Sequence, residues 1–253
     1  MVNRTGSTIL SRFPKVRMDL PEAYQKIYKQ HYLSNREGQY RTTLLSARLE
    51  RWMHKKVARD LAGTKGNLAT LEIGAGTLNQ LQYEPDQRAY DIVEPFSELF
   101  ENSPRLKGVR TVYKDINDIR DTAYDRITTI ATFEHIMDLP FVVGKAALLL
   151  KPEGHMRVAI PNEGTFMWRL GTRVTGFEFT RKYGLDYQVL MRYEHVNTAD
   201  EIEGVLKYFF ENVKCSVYGI SRRIAFYRFY ESSSVIHSRI DAYFRDRRVI
   251  PKD

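Results

Sequence analysis

The feature that most constrains the fold is a glycine turn that follows a short apolar run. Leu71 and Ile73 belong to a run that predicts a buried strand, and Gly74-Ala75-Gly76 then predict a tight turn. Glycine has no Cβ, so a ligand could approach the backbone closely there. The next residues predict the start of a helix, whose free N–H groups attract polar or anionic ligands. Strand, glycine turn and helix form the first unit of a doubly wound nucleotide-binding fold, although such a turn can also serve only to reverse the chain.

Further short apolar runs repeat this pattern along the chain. They predict strands at 89–93, at 109–113, at 126–132 and in a segment that ends at Asn162. Polar residues follow the first three of these runs, namely Glu94, Asp115 and His135. A carboxylate at the tip of the second strand can accept both hydroxyls of a ribose. Ligands bind at the carboxyl ends of parallel strands, so these polar residues predict a binding site.

This order of glycine turn, acids and strands resembles the class I S-adenosylmethionine-dependent methyltransferases, particularly their bacterial type 11 and type 23 small-molecule branch. The resemblance covers roughly residues 69–230. It implies an α/β fold with a Rossmann-like sheet of seven strands in the order 3-2-1-4-5-7-6, its last strand antiparallel, and an N-terminal helical lid. Many members have a third glycine where this chain has Leu78. We expect that departure to cost little, because the third glycine mainly eases the packing of helix on strand.

The resemblance also implies the cofactor and the residues that hold it. The cofactor would be S-adenosylmethionine (SAM), with S-adenosylhomocysteine (SAH) as the product. Its methionine part is expected at Glu72 and the glycine turn, its ribose at Glu94, and its adenine between Asp115 and Ile116. The predicted cofactor-binding residues are Glu72, Gly74, Ala75, Gly76, Glu94, Pro95, Asp115, Ile116, Thr132 and Phe133.

Two histidines are candidates for proton removal. Methyl transfer to an amine or hydroxyl requires alignment of the acceptor and loss of a proton, which a histidine can take. His135 is the first candidate for this base, although Glu134-His135 could instead shape the loop. His195 is the second, with a buried hinge residue as the alternative. No His, Cys, Asp or Glu residues have the spacing of a metal site, so no metal is expected.

The sequence divides into three parts. Residues 1–66 are predicted to form an arm and helical lid, 67–232 the cofactor-binding domain, and 233–253 a helical tail. Within the domain, residues 162–195 form a long connection rich in aromatic residues and arginines, which is either a substrate-binding insertion or a self-packed subdomain. In the resembled family, this insertion and the lid select the acceptor. The predicted substrate-binding residues are Tyr28, His31, Tyr32, Arg36, Arg41, Asn162, Arg169 and Tyr193.

The net charge is concentrated near the N-terminus. Residues 1–66 contain fourteen Lys or Arg and five Asp or Glu, whereas the net charge of the whole chain is +8. A basic segment favours an anionic partner, although it can also be the solvated face of a helix. Together with the arginines of 162–195, it predicts an anionic small-molecule acceptor that is phosphorylated, nucleotide-linked, or a precursor of a polysaccharide or natural product.

Cysteine usage and hydropathy bear on the compartment. Cys215 is the only cysteine, so no internal disulfide can form, which fits a reducing compartment. The first residues lack a secretory pattern, and no apolar run reaches the ~20 residues of a membrane span. We therefore expect a cytoplasmic protein without a membrane span. Apolar positions of the tail could pack on the domain or on a second subunit, so a homodimer stays open.

Three other functions share parts of the pattern. An NAD-dependent oxidoreductase also has a glycine turn followed by an acid, but the antiparallel last pair and Asp115-Ile116 count against it. An RNA methyltransferase would use the basic N-terminal segment. The chain lacks a motif for methylating a base amino group and an added RNA-binding module, so nucleic acid is not the expected partner. A non-catalytic SAM-binding module is the third alternative.

Overall fold

A single seven-stranded sheet organises the molecule. A computed structural model of the chain describes residues 9–28, 44–62, 68–84 and 89–249. The strands are β1 (Thr70–Ile73), β2 (Tyr90–Val93), β3 (Thr111–Tyr113), β4 (Tyr124–Ile130), β5 (Leu150–Pro161), β6 (Phe210–Gly219) and β7 (Ala225–Val235). Their order is β3-β2-β1-β4-β5-β7-β6. Strands β1 to β5 pair in parallel, and β7 is antiparallel to β5 and β6. The predicted fold class and strand order are therefore confirmed.

Helices cover both faces of this sheet. Those with complete bounds are α1 (Leu44–Val57), α2 (Leu139–Leu148), α3 (Phe166–Tyr183), α4 (Tyr187–Glu194), α5 (Ala199–Phe209) and α6 (His237–Val249), and residues 22–28 are also helical. Side-chain caps fix several starting points. Thr198 and Glu201 form a capping box at α5, while Asp186 caps α4. Gly184, at φ +68°, ends α3 in the left-handed conformation typical of helix ends.

The helix predicted after the glycine turn is not formed. Only a 3₁₀ turn, Asn79–Gln82, follows it. Leu78 precedes this turn at φ +61°, a left-handed conformation that interrupts a right-handed helix. A non-glycine residue pays about 1–2 kcal/mol for that conformation. The Leu78 side chain is fully buried, which contributes about 1.5–3 kcal/mol in return. Glycine at this position would relieve the backbone strain but would lose this buried side chain. The small cost expected of Leu78 is therefore explained by its burial, and not by the packing of a helix on the strand.

The hydrophobic core lies on both faces of the sheet. On one face, side chains of β1, β4 and β5 pack against α2, α5 and α6, with Val143, Ile202 and Ile240 as buried helix contacts. On the other face, Met53 and Val57 of α1 pack in a second cluster with residues of β4, β5 and β7. A 3₁₀ turn at Ala58–Leu61 follows α1 directly.

A buried ionic cluster joins α1 to the amino end of β4. The Arg126 side chain is fully buried; its Nε donates to Asp60 Oδ2 at 2.7 Å and its Nη1 to Glu84 Oε2 at 2.8 Å. A buried guanidinium requires such partners, because an unpaired charge in the interior is very costly. The cluster lies at the end of the strands opposite the glycine turn, so its role is structural.

Residues 9–28 lie across the carboxyl ends of the strands. The Lys15 Nζ donates to the carbonyl of Val196 at 2.6 Å and to Glu201 Oε2 at 2.7 Å. The Tyr24 hydroxyl donates to the Asp186 carbonyl and accepts from the Asp186 N–H, both at 3.0 Å. The N-terminal segment is thus held on the edge at which α/β folds bind ligands. Its action as a lid stays a prediction.

Candidate active site

A large cavity opens where β1 to β4 end. Its volume is about 940 Å³. The predicted cofactor-binding residues that line it are Gly74, Glu94, Pro95, Asp115, Ile116 and Thr132. These residues come from four separate loops, and the parallel register brings the loops together. In that register Ile73 lies beside Val93, and Val93 beside Tyr113.

The glycine turn is shaped by contact with the loop after β4. Gly74 has φ +74°, and its N–H donates to the Val93 carbonyl at 2.8 Å. A Cβ on Gly74 would lie 2.3 Å from Thr132 Cγ2 and 2.4 Å from Thr132 Oγ1. The sequence predicted that glycine leaves room for a ligand at this position. The structure instead fills that room with Thr132, so the glycine is required by packing within the protein.

Glu94 is a buried carboxylate held by backbone N–H groups. Its Oε2 accepts from the Gly76 N–H at 2.8 Å, and its Oε1 accepts from the Phe96 N–H at 3.1 Å. The side chain is only 4% exposed, yet it lines the cavity. A carboxylate has about four lone-pair sites, so both oxygens keep the capacity to accept a further hydrogen bond. The geometry provides a pre-oriented acceptor for a diol.

Four predicted cofactor-binding residues lie behind the cavity wall, and one of them is Gly76, whose N–H donates to Glu94. Glu72 is 2% exposed and accepts from the Tyr90 hydroxyl at 2.8 Å. Burial raises the pKa of Glu72 to about 8, so this carboxyl holds its proton at neutral pH. Ala75 packs in a core cluster with Leu78, and Phe133 is fully buried in the main core. None of the four lines the cavity, so any effect they have on the cofactor acts through the residues in front of them.

Asp115 and Ile116 form another part of the wall. Asp115 begins the 3₁₀ turn Ile116–Asp118, and its Oδ1 accepts from the N–H and the side-chain amide of Asn117, both at 2.8 Å. This capping role fixes the loop after β3. Ile116 is 6% exposed and lines the cavity. An apolar wall beside an exposed carboxylate suits a flat heterocycle with an amino group, such as adenine.

His135 borders the cavity at the loop after β4. Its Nδ1 lies 2.9 Å from the backbone carbonyl of Glu194. Because a carbonyl can only accept, Nδ1 carries the proton in the neutral ring, and the lone pair is on Nε2. Nε2 lies 3.9 Å from Glu134 Oε1. The imidazole is therefore oriented by the chain and is in a form that could accept a proton or bind an electrophile.

His195 lies next to it in a more enclosed place. The His135 and His195 rings meet edge to face with centroids 4.6 Å apart, and Trp168 stacks on His195 at 5.3 Å. His195 Nδ1 contacts the carboxyl group of Glu163. Burial raises the pKa of Glu163 to about 8 and lowers the pKa of His195 to about 4. Both shifts favour an uncharged pair that shares one proton.

A second, smaller cavity adjoins the first. Its volume is about 270 Å³, and Ala131, His135 and Glu194 line both cavities. Trp168 of α3 and Tyr187 of α4 contribute aromatic walls. Both helices belong to the connection 162–195, which the sequence singled out for substrate selection. The two cavities together have the layout that a donor and an acceptor would need, with His135 at their junction.

The predicted substrate-binding residues are distributed unevenly. Tyr28 lines the large cavity, and Tyr193 meets its ring edge to face at 5.3 Å. Asn162 is fully buried and donates to the carbonyls of Arg222 and Ala225, so it holds the β6–β7 hairpin and lines neither cavity. Arg169 is exposed and also lines neither cavity. The remaining predicted residues, His31, Tyr32, Arg36 and Arg41, lie outside the described residues.

Arg17 is a cavity-lining cation that the sequence analysis missed. Its Nη2 donates to the His135 carbonyl at 3.2 Å, and its guanidinium lies 5.0 Å from the Tyr193 ring centroid. Its Nε is buried and has no hydrogen-bond partner among the described residues. Nothing in the sequence distinguishes Arg17 from the other basic residues of 1–66, because its position depends on how the arm crosses the sheet.

Solved structures of similar fold are known, although no family model matches the sequence and a comparison with curated proteins gives no significant match. One is a SAM-dependent methyltransferase from Thermotoga maritima, described as a possible histamine N-methyltransferase. It has a TM-score of 0.54 and 15% identity over 85% of this chain and 100% of that one. The plantazolicin methyltransferase BpumL in complex with SAH has a TM-score of 0.53 and 14% identity, covering 91% and 95%.

The CurJ carbon methyltransferase gives a third match. Its TM-score is 0.55 and its identity 17%, with 91% of this chain and 67% of that one covered. At these identities the likeness concerns the fold. The chain has the class I SAM-dependent methyltransferase fold, as its strand order already indicated. The type 11 or type 23 branch stays a prediction.

Proposed function

We propose that this chain transfers a methyl group from SAM to a small-molecule acceptor. The observation that carries the proposal is the Glu94 carboxylate, buried and held by two backbone N–H groups at the edge of a large cavity beside the glycine turn. A structural carboxylate would not need to face a cavity of about 940 Å³. The same fold in proteins described as SAM-dependent methyltransferases supports this assignment.

The residues that line the cavity fit the parts of SAM. Glu94 would accept the ribose hydroxyls, Ile116 would cover one face of the adenine, and the loop at Gly74 and Thr132 would adjoin the methionine part. When bound, SAM supplies an electrophilic methyl group on a positively charged sulfur. The chain would contribute by aligning the acceptor with that group and by excluding water.

The acceptor would occupy the second cavity and extend its anionic part past His135 to Arg17, which lines the adjoining large cavity. Trp168 and Tyr187 give the second cavity aromatic walls, and Arg17 Nε has no hydrogen-bond partner among the described residues. A guanidinium binds phosphate or carboxylate through several N–H groups at once. This supports an anionic acceptor that is methylated on nitrogen or oxygen. Its pathway, the cytoplasmic location and a homodimer stay predictions.

Titration with SAH tests the donor site. We expect the wild-type chain to bind SAH and Glu94→Ala to lose about 1–3 kcal/mol, which is roughly 5–150-fold in affinity. Glu101→Ala is the matched control, because Glu101 is an exposed carboxylate outside the cavity lining. Titrations with NADH test the oxidoreductase alternative. NADH binding without SAH binding, or equal SAH affinity in folded Glu94→Ala, would contradict the proposal.

Acceptor screening tests the anionic site. Transfer of labelled methyl from SAM to phosphorylated, nucleotide-linked and carboxylated compounds can be compared with transfer to their neutral analogues. With an anionic acceptor, Arg17→Met should raise the Michaelis constant for that acceptor more than Arg169→Met does, since Arg169 is exposed. A larger effect of Arg169→Met, or a preference for the neutral analogues, would reject Arg17 as the anion contact.

A further inference from the structure

We propose that His135, Glu194 and His195 bind a divalent transition-metal ion at the junction of the two cavities. One ring nitrogen of each histidine and one carboxylate oxygen of Glu194 lie within 4.8 Å of one another. Within the described ranges this is the group of His, Cys, Asp and Glu side chains close enough to hold a metal. The sequence predicted no metal because about sixty positions separate His135 from the Glu194-His195 pair.

Both imidazoles are supported as metal ligands usually are. A metal-binding histidine normally gives its other ring nitrogen to a carbonyl or carboxylate, which fixes the ring and its tautomer. His135 Nδ1 donates to the Glu194 carbonyl at 2.9 Å, and His195 Nδ1 contacts the Glu163 carboxyl group. In His135 the lone pair is then on Nε2, whereas in His195 a metal at Nε2 would displace the ring proton to water and leave Nδ1–H donating to the Glu163 carboxylate. A loop histidine of purely structural use would not require this arrangement twice at adjoining rings.

The charges around the cluster also favour a cation. Glu134, Glu163 and Glu194 all lie within or beside it, and Glu134 Oε1 is 3.9 Å from His135 Nε2. The cation that contacts the loop, Arg17, donates to the backbone carbonyl of His135 and not to these carboxylates.

The ligand types select the kind of ion. Two imidazoles and one carboxylate suit Zn²⁺, Co²⁺ or Fe²⁺, whereas Mg²⁺ prefers oxygen ligands. Three protein ligands leave a coordination position open in catalytic zinc sites. An ion held by His135 and Glu194 would border both cavities, within reach of a donor in one and of an acceptor in the other. The metal would then hold an oxygen of the acceptor.

This inference rests on the proposed function and narrows its acceptor to an oxygen nucleophile. A bound divalent ion lowers the pKa of a coordinated hydroxyl, so the O–H bond could break near neutral pH with its proton released to water. The oxygen would then form the new bond to the methyl carbon as the C–S bond of SAM breaks and sulfur keeps the electron pair. His135 would act as a metal ligand, and no protein base would be required.

Metal titration of the chelator-treated full chain tests the site directly. We expect one equivalent of Zn²⁺ to bind, Co²⁺ to give visible absorption bands of an ordered site, and Mg²⁺ not to compete. Glu194→Gln and His195→Ala should abolish stoichiometric binding. Glu163→Gln should weaken it by about 10–100-fold, the usual effect of losing a supporting partner. His237→Ala is the matched control, because His237 is exposed at the start of α6.

Three results would overturn the proposal. The first is the absence of stoichiometric Zn²⁺ binding to folded wild-type chain, and the second is equal binding by wild type and His195→Ala. The third is full methylation by protein shown to be metal-free, which would remove the ion from the reaction. SAH titration of the metal-free chain distinguishes failure of the metal site from failure of the proposed function. If SAH binds neither with nor without Zn²⁺, the methyltransferase assignment is rejected, while the metal titration still tests the His135–Glu194–His195 cluster.

Discussion

The substitution Gly74→Ala tests the tightest contact in the candidate donor site. Gly74 is at φ +74°, and an added Cβ would lie 2.3 Å from Thr132 Cγ2. Real Cβ atoms do not approach other atoms that closely, so Thr132 or the turn must move. Thr132 also lines the cavity and donates from Oγ1 to the carbonyls of Gly74, at 3.3 Å, and Ile130, at 3.0 Å. A shift there changes both stability and the donor cavity.

Two costs contribute to the expected loss of stability. The left-handed conformation costs a non-glycine residue about 1–2 kcal/mol. Overpacking of a filled site costs about 1–3 kcal/mol more. We therefore expect Gly74→Ala to lower the free energy of unfolding by about 2–5 kcal/mol, which a domain of ordinary stability, about 5–15 kcal/mol, would mostly survive.

Urea denaturation of four variants separates these costs. Gly184→Ala is the matched control, because Gly184 is at φ +68° but nothing lies within 4 Å of its added Cβ. It should show only the backbone cost of about 1–2 kcal/mol and leave SAH affinity unchanged. Thr132→Ala, combined with Gly74→Ala, should recover part of the packing cost, so the double variant would be less destabilised than the sum of the single variants. If Gly74→Ala is no more destabilised than Gly184→Ala and binds SAH normally, the contact with Thr132 does not shape the turn.

Three further predictions concern stability. The raised pKa of Glu72 means that, from about pH 4.5 to pH 8, the unfolded chain loses a proton that the folded chain keeps. Stability therefore falls with rising pH, and the advantage of Glu72→Gln over wild type should grow by up to about 1.4 kcal/mol per pH unit; equal differences in urea midpoint at pH 5.5 and pH 8 would contradict this. Tyr24→Phe removes both hydrogen bonds to Asp186, each worth about 0.5–1.5 kcal/mol, so limited trypsin digestion should cut the segment 9–28 faster than in wild type. Arg126→Met leaves the buried Glu84 without its cation and should cost about 3–5 kcal/mol in urea denaturation, against no more than about 1 kcal/mol for the exposed Arg169→Met.

The sheet could be predicted from the sequence because local signals and chain order determine it. Short apolar runs mark the strands, and the glycine turn and the acids after the second and third strands identify the binding edge. The predicted second strand at 89–93 is observed as Tyr90–Val93, and the predicted run 126–132 as Tyr124–Ile130. Alternation between strands and connections then leaves few topologies.

The helix after β1 could not be excluded from the sequence. Leu78 has ordinary helix propensity, and nothing local shows that it adopts a left-handed conformation. That conformation follows from the burial of its side chain in a cluster with Tyr90 and Phe100. The sequence also placed Glu72 and Phe133 in the cofactor site, because both lie next to the binding edge along the chain. Their side chains are buried in the core, and the local sequence does not show this.

The acceptor side was the least predictable part of the site. Arg17 reaches the cavity from the N-terminal segment, and the His135–Glu194–His195 cluster joins loops far apart in sequence. The basic character of residues 1–66 and the aromatic content of 162–195 indicated the regions. Neither signal specifies a residue, since which arginine or histidine faces the cavity depends on how the segments pack.

The two sides of the site are consequently built by different means. On the donor side, the register of β1, β2 and β3 places the residues after Ile73, Val93 and Tyr113 at one edge, and backbone N–H groups then orient Glu94. On the acceptor side, side chains of α3 and α4 form part of the wall, and residues 9–28 pack against these two helices and hydrogen-bond to the start of α4. Substitutions in α3 and α4 can therefore change the shape of the acceptor cavity while the donor loops keep their geometry. In the proposed methyltransferase, this separation would let the acceptor cavity vary in shape while the sheet keeps the same donor site.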